Sequence, residues 1–433
     1  MTAVDSAAPG AGTRAVSWKL LLTYSLSRVV PVAIVFASTP ILVGLIGTAQ
    51  YGLYTTITAL VLIAESFGVG WLRQSALRGT GDPYQAMHLL PRWSMASAVN
   101  GPAVLVAVLL FLLSGALGAG GDPAVLATAT ALCCATGFYM LRMTRAQRDM
   151  RVRRVVVIEW VRAAVGLLAI IAVHATLLEG AAAALAGMAI GSLAGALVAG
   201  RGPQQAPRSR SSANALLKEY WSYGWPMSLW LAASSGLLYV DRLLLSVWLG
   251  PETAGHYGAV SDIVIRGYIF IATPVGMAVH PLIMSAWNRG RPDLAVRTLA
   301  AYQRILGLLV VAATVALVAA GPWLIPIVVG VRAPSTAVLM LLGLGSAVWQ
   351  YSLLTQKRLE LAGRSFAVLS LMGASTLVTV VVDVALIPLT GPLGAAIGMA
   401  AGAAAYHAGC LHLGRKAIAE ELQRGGPVSS SVS

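Results

Sequence analysis

Along the chain, apolar runs long enough to cross a bilayer alternate with short polar breaks. A membrane helix needs roughly 20 apolar residues to span about 30 Å of hydrocarbon. Runs of that kind lie near 20–46, 49–72, 90–116, 123–142, 155–176, 180–200, 220–249, 253–287, 300–319, 334–354, 366–389 and 392–413. The pattern predicts an all-α integral membrane protein with about 12 transmembrane helices. With 58% of residues hydrophobic and 11% charged, a soluble chain of this length could not hide so much apolar surface.

The charges are sorted by side. If both termini are cytoplasmic, every second loop collects Lys and Arg, for example Arg142, Arg145, Arg148, Arg151, Arg153 and Arg154 in one and Arg289, Arg291, Arg297 and Arg304 in another. Of the 30 Lys and Arg, 25 fall in these inner segments and Arg332 falls in an outer loop. Such asymmetry fixes orientation by the positive-inside rule. It also gives the net charge of +14 a partner in anionic lipid headgroups, so nucleic acid is not an expected ligand. Trp18, Trp71, Trp93, Trp160, Trp221, Trp225, Trp287 and Trp349 mark inner ends, and Trp248 and Trp323 outer ends, as an aromatic belt.

The first run is too long for a signal-peptide core and is expected to be retained. Cys133, Cys134 and Cys410 lie in apolar runs without metal or disulfide spacing, so they are expected to be packing residues.

The longest polar break inside the apolar region, Arg201 to Lys218, divides six runs from six. The expected organisation is an N-terminal tail over 1–18, an N-lobe over 19–200, a cytoplasmic linker over 201–218, a C-lobe over 219–413 and a C-terminal tail over 414–433. A repeat supports two lobes. Gly47, Gly52 and Tyr54 follow the first run as G-x4-G-x-Y, and Gly250, Gly255 and Tyr257 follow the seventh with the same spacing. An even number of runs between the copies gives them the same orientation, so the lobes are related by an axis along the membrane normal. Here the glycines read as a tight outer turn and the tyrosine as an interfacial anchor.

The runs Leu42–Tyr54 (LVGLIGTAQYGLY) and Tyr239–Tyr257 (YVDRLLLSVWLGPETAGHY), with GVGWLRQ after the first, resemble the polysaccharide-transporter branch of the multidrug/oligosaccharidyl-lipid/polysaccharide (MOP) exporter superfamily. Twelve spans fit its O-antigen and capsule flippases better than its fourteen-span lipid II flippases. The resemblance implies a central cavity lined by the first, second, seventh and eighth helices. It also implies a bacterial cytoplasmic-membrane protein that works as a monomer beside glycan-assembly proteins.

An ionisable group in hydrocarbon costs at least about 2.5–3.5 kcal/mol and needs a partner or a wet cavity. Arg28 and Glu65 lie at similar depth on the first two helices and can pair. Asp241 and Arg242 lie on the seventh helix, and Asp262 and Arg266, at i and i+4, on the eighth. A polyprenyl-pyrophosphate-linked oligosaccharide carries two phosphates that guanidinium binds in a bidentate way. Arg28, Arg242 and Arg266 are therefore cargo candidates, while Glu65, Asp241 and Asp262 would balance charge or take a driving H⁺ or Na⁺. The same pairs also suit a purely structural role in helix packing. Glu159 with Arg162 reads as an interfacial pair, and Asp383 as either a packing or a coupling residue.

Pro31, Pro226 and Pro274 would bend their helices, and Gly394, Gly398 and Gly402 would let another helix approach closely. The chain lacks a Walker A motif, an H-E-x-x-H and a Cys/His metal cluster. Transport is expected rather than catalysis, with no cofactor or metal. An H⁺- or Na⁺-coupled multidrug antiporter of the same superfamily is the alternative, and a membrane glycan polymerase or ligase a more distant one.

Overall fold

The computed structural model describes residues 34, 36–78, 92–113, 122–148, 152–200 and 210–423. Among them every regular element is a helix, and a helix occupies each of the twelve expected places. The first half contributes α1 (Phe36–Ile46), α2 (Thr48–Gly68), α3 (Gly70–Arg78), α4 (Arg92–Leu113), α5 (Pro123–Arg148), α6 (Val152–Thr176) and α7 (Gly180–Ala199). The second contributes α8 (Arg210–Leu249), α9 (Pro251–Asn288), α10 (Pro292–Val329), α11 (Thr336–Thr355), α12 (Lys357–Leu361), α13 (Ser365–Thr390) and α14 (Pro392–Gln423). Arg28, Pro31, Trp18 and residues 201–209 of the 201–218 segment lie outside the described residues.

Several helices outrun their apolar cores. Starting at Arg210 and Pro292 rather than near 220 and 300, α8 and α10 carry the basic positions Lys218, Arg297 and Arg304 on continuous helix. Proline at the first helical position of α9 and α10 suits a site where the missing N–H has no partner to lose. The second span is broken, since α2 and α3 meet at Val69 with a bend of 54°. Gly68 packs there against Pro102 of α4 so closely that a Cβ would collide with the proline ring.

Within the first half α7 packs on α5 and α6, and within the second α14 packs on α11 and α13. These seams are made of small residues. Gly187 and Gly191 bring the α7 backbone onto Ile170 and Gly166 of α6, and Gly394, Gly398 and Gly402 bring α14 onto Leu386, Asp383 and Thr379 of α13. Lipid tails are as apolar as leucine side chains, so packing of backbones, rather than exclusion of water, holds such helices together. The halves meet through α2 and α3 against α8, and α2 against α9.

Two sequence expectations need correction. Gly47 and Gly250 are indeed turn glycines, with φ of 78° and 87°, but Gly52 and Gly255 lie inside helices and serve close approach. The motif tyrosines are not interfacial anchors, since Tyr54 and Tyr257 are buried. Trp71, Trp287 and Trp349 also leave the aromatic belt. Trp71 packs edge-on against Trp221, and Trp349 packs at a tilt of 36° against Tyr406, because each points into a helix seam.

The α13–α14 seam tests the packing account. A Cβ at Gly398 would meet Asp383 and the Thr379 carbonyl, whereas a Cβ at Gly373 on the outer face of α13 meets nothing within 4 Å. Thermal unfolding in detergent should show G398L destabilised by about 1–3 kcal/mol or more, and G373L close to the parent.

Candidate functional site

The turn at Gly250 sends α9 back beside α8, and α2 lies across both. That arrangement places Asp241 and Arg242 of α8, Asp262 and Arg266 of α9 and Tyr51 of α2 in one buried cluster. Asp262 is its centre. Its Oδ1 accepts from Arg242 Nη2 at 2.7 Å, and its Oδ2 lies 3.6 Å from Arg266 Nη2. The Tyr51 hydroxyl donates to the same Oδ2 at 2.7 Å, so a residue of the first half completes the carboxylate of the second.

Arg242 is held from every side. Its Nη2 donates to Ser261 Oγ at 3.1 Å, its guanidinium lies 4.8 Å from the Tyr239 ring centre, and Thr56 of α2 donates to its backbone carbonyl at 3.5 Å. Arg242 Nε has no partner among the described residues. Asp241 accepts from the Arg242 backbone N–H and from the Tyr257 hydroxyl, at 2.8 and 2.7 Å. Arg266 donates to Thr39 of α1 at 3.1 Å and keeps 35% of its side chain exposed, against 4% for Arg242. The cluster thus balances two guanidinium groups against two carboxylates, with Arg266 as its open edge.

Two further acids are buried away from this centre. Glu65 of α2 is 5% exposed and lies against Gly137 of α5, and the Cys133 thiol donates to its Oε1 at 3.2 Å. Its Oε2 has no partner among the described residues. Arg28, its expected partner, lies outside them. Asp383 of α13 is fully buried, and neither carboxylate oxygen has a hydrogen-bond partner among the described residues. It lies within electrostatic reach of Asp241 and Tyr257. The pair expected at Glu159 and Arg162 forms at 3.7 Å with both side chains about 30% exposed, and Tyr139 donates to Glu159 at 2.8 Å. It belongs to the α5–α6 seam, away from the cluster. Among the described residues no group of three or more His, Cys, Asp or Glu could hold a metal ion.

The G-x4-G-x-Y repeat explains how the halves come so close. A Cβ on Gly52 would collide with the Pro251 carbonyl, and one on Gly255 with the Thr48 carbonyl. The second glycines of the two copies therefore face each other where α2 crosses α9, and close the Gly47/Gly250 end of the seam. Sequence reasoning placed the four charges but missed Tyr51, Ser261 and Thr39. Tyr51 stood beside Gly52 in the copied motif, and that was the available signal.

The polysaccharide biosynthesis protein family matches residues 17–287, well over half of the chain. The chain belongs to this family. No curated protein sequence matches it. Among solved structures it resembles a multidrug resistance MATE family transporter of the MOP superfamily in the inward-facing conformation, with a TM-score of 0.67 at 13% identity over 94% of this chain and 99% of that one. An outward-facing MATE transporter superposes with a TM-score of 0.55 at 14% identity, over 95% and 98%. The lipid II flippase MurJ, inward closed, gives 0.66 at 12% identity, over 93% and 90%. This polysaccharide biosynthesis family protein thus has the multi-pass helical fold that those MOP-superfamily structures share.

Breaking a buried ion pair by removing one partner costs about 3–5 kcal/mol. Arg242→Ala should therefore lower the melting temperature in detergent sharply, whereas Arg266→Ala, a third exposed, should lower it little. The double variant Arg242→Met with Asp262→Leu, which removes both charges of the short contact, should recover most of the loss.

Proposed function

We propose that this protein flips a polyprenyl-pyrophosphate-linked oligosaccharide from the cytoplasmic to the outer leaflet by alternating access. The observation that carries the reading is the charge-balanced cluster at the seam between halves, with Arg266 open and Asp262 completed by Tyr51 of the opposite half. A pyrophosphate arriving at Arg266 competes with Asp262 for guanidinium donors, and each charge-assisted bond it gains is worth about 1.5–3 kcal/mol. Arg242, whose Nε has a donor to spare, joins as the halves part. Arg28 is assigned to the same cargo from the first helix.

In this reading the linker and both termini face the cytoplasm of a bacterial inner membrane, as the sorting of Lys and Arg supports. The Gly47/Gly250 end is then the outer end, closed here by the Gly52–Gly255 contact. The better superposition on an inward-facing than on an outward-facing transporter is consistent with that state. Opening outward separates α2 from α9 and breaks the Tyr51–Asp262 bond. The uncovered Asp262 costs energy that bound cargo, by neutralising the arginines in its place, does not lower, so charge must be returned by a cation. Asp383 with Asp241, and Glu65 in the first half, are the acids placed to take H⁺ or Na⁺. Both lobes are in one chain, so a monomer suffices.

Asp383 also favours a second reading, a cation-coupled drug antiporter, since such a protein needs a buried acid. The arginines at the seam weigh against an organic-cation cargo.

Proteoliposomes holding a fluorescent polyprenyl-pyrophosphate oligosaccharide decide between them. Arg266→Ala should slow translocation by roughly 10- to 100-fold, the loss of one or two charge-assisted bonds, with the fold intact. Unchanged translocation in that variant would remove Arg266 from the cargo site, and efflux of a cationic dye without glycan movement would favour the antiporter. Asp383→Asn should abolish any dependence of the rate on a Na⁺ or proton gradient.

A further inference from the structure

The bend between α2 and α3 opens a cavity of about 620 Å³ between that bend, α4 and the start of α8. Phe67, Trp71, Pro102, Leu105, Lys218 and Trp221 are among its walls. The volume is that of a small-molecule site, and such sites pair apolar walls with a few placed polar groups. Here Lys218, at the linker end, is the one charged group among the described lining residues.

The cavity is built rather than left over. Gly68 lets α2 turn away against Pro102, and Pro102 in turn interrupts α4, leaving the Ala98 carbonyl beside Gly68. Phe67, Leu105 and Trp221 are all exposed, so the trough opens sideways, to the hydrocarbon in a membrane. The Trp71–Trp221 edge contact, 5.3 Å between ring centres, lies beside Lys218, and indole with a cation marks the level where tail meets headgroup. The walls come from both halves, α2 to α4 from one and α8 from the other.

We propose that this trough seats the first isoprenoid units of the lipid-linked cargo, with Lys218 against the phosphate end. The assignment rests on the flippase reading. It gives that reading an entry station distinct from the central cluster, because the 24 residues of α8 from Lys218 to Arg242 span about 36 Å at 1.5 Å per residue, so cargo phosphates beside Lys218 have yet to reach Arg266. A one-chain apolar tail ending in negative charge matches an apolar trough ending in one cation. Because the trough straddles the two halves, seating the tail biases their relative position.

The test uses the full chain in nanodiscs and a polyprenyl pyrophosphate carrying a diazirine on the isoprenoid nearest the phosphates. Mass spectrometry should place the label on residues 67–71, 101–105 and 217–221. Gly101, where a Cβ meets nothing within 4 Å, can be filled, and Gly101→Phe should cut that labelling on the order of tenfold, as should Lys218→Glu at low salt. Label spread over the whole lipid-facing surface and indifferent to Gly101→Phe would overturn the assignment. So would competition by phosphatidylglycerol as effective as by unlabelled polyprenyl pyrophosphate, which would make the trough a bilayer-lipid site. The same preparations are assayed with Arg266→Ala. Trough labelling that persists while translocation is untouched by that substitution upholds the trough and sinks the central cargo site instead.

Discussion

Asp262 is 5% exposed, and a carboxylate so buried needs more hydrogen-bond donors than its own helix can provide. Arg266 on the same helix offers an ion pair at 3.6 Å, while Arg242 on the neighbouring helix and the Tyr51 hydroxyl from the other half of the molecule donate the hydrogen bonds. The seam between halves is therefore part of the solvation of a buried charge. Separating the halves is an electrostatic event as well as a steric one, and whatever binds or leaves the arginines changes its cost. Arg242 is correspondingly enclosed by Ser261, Tyr239 and Thr56, while Arg266 stays at the edge.

That bond requires a second condition, the close approach of two backbones. A tyrosine on α2 reaches Asp262 only because Gly52 and Gly255 allow the helices to touch at their carbonyls. The same use of glycine recurs inside each half, at Gly187 with Gly191 and at Gly394 with Gly398. Within a half, Gly187 faces Ile170 and Gly402 faces Thr379, while Gly191 meets Gly166 backbone to backbone. Between halves, Gly52 and Gly255 meet in the same way, so one device serves both kinds of seam.

The twelve apolar runs and the sorting of Lys and Arg made the helical membrane fold legible, because bilayer thickness and headgroup charge impose a period and a sign on any spanning chain. The four charges of the cluster were legible for the same reason, as each was costly where it stood. What was not legible is pairing across the halves. Tyr51 carries no charge, and nothing in linear order places it nearer Asp262 than any other tyrosine. Gly52 and Gly255 were read as turn glycines like Gly47 and Gly250, since only the backbone angles separate a glycine that turns the chain from one that admits a neighbour. Asp383 was visible as an acid near an outer end, suited to snorkelling, packing or coupling, but that its carboxylate oxygens find no partner among the described residues depends on how α13 meets α14. Trp71, Trp287 and Trp349 carry the same residue type as the membrane-facing tryptophans, and only packing tells them apart.

The central claim is that parting α2 from α9 at the glycine crossing is an obligatory step of transport. Thr48→Cys with Pro251→Cys, joined by a short bis-maleimide across that crossing, tests it in proteoliposomes loaded with the polyprenyl-pyrophosphate oligosaccharide. The account predicts that translocation stops in the joined protein and returns when a cleavable spacer is cut. Translocation at the full rate while the spacer is intact would contradict it.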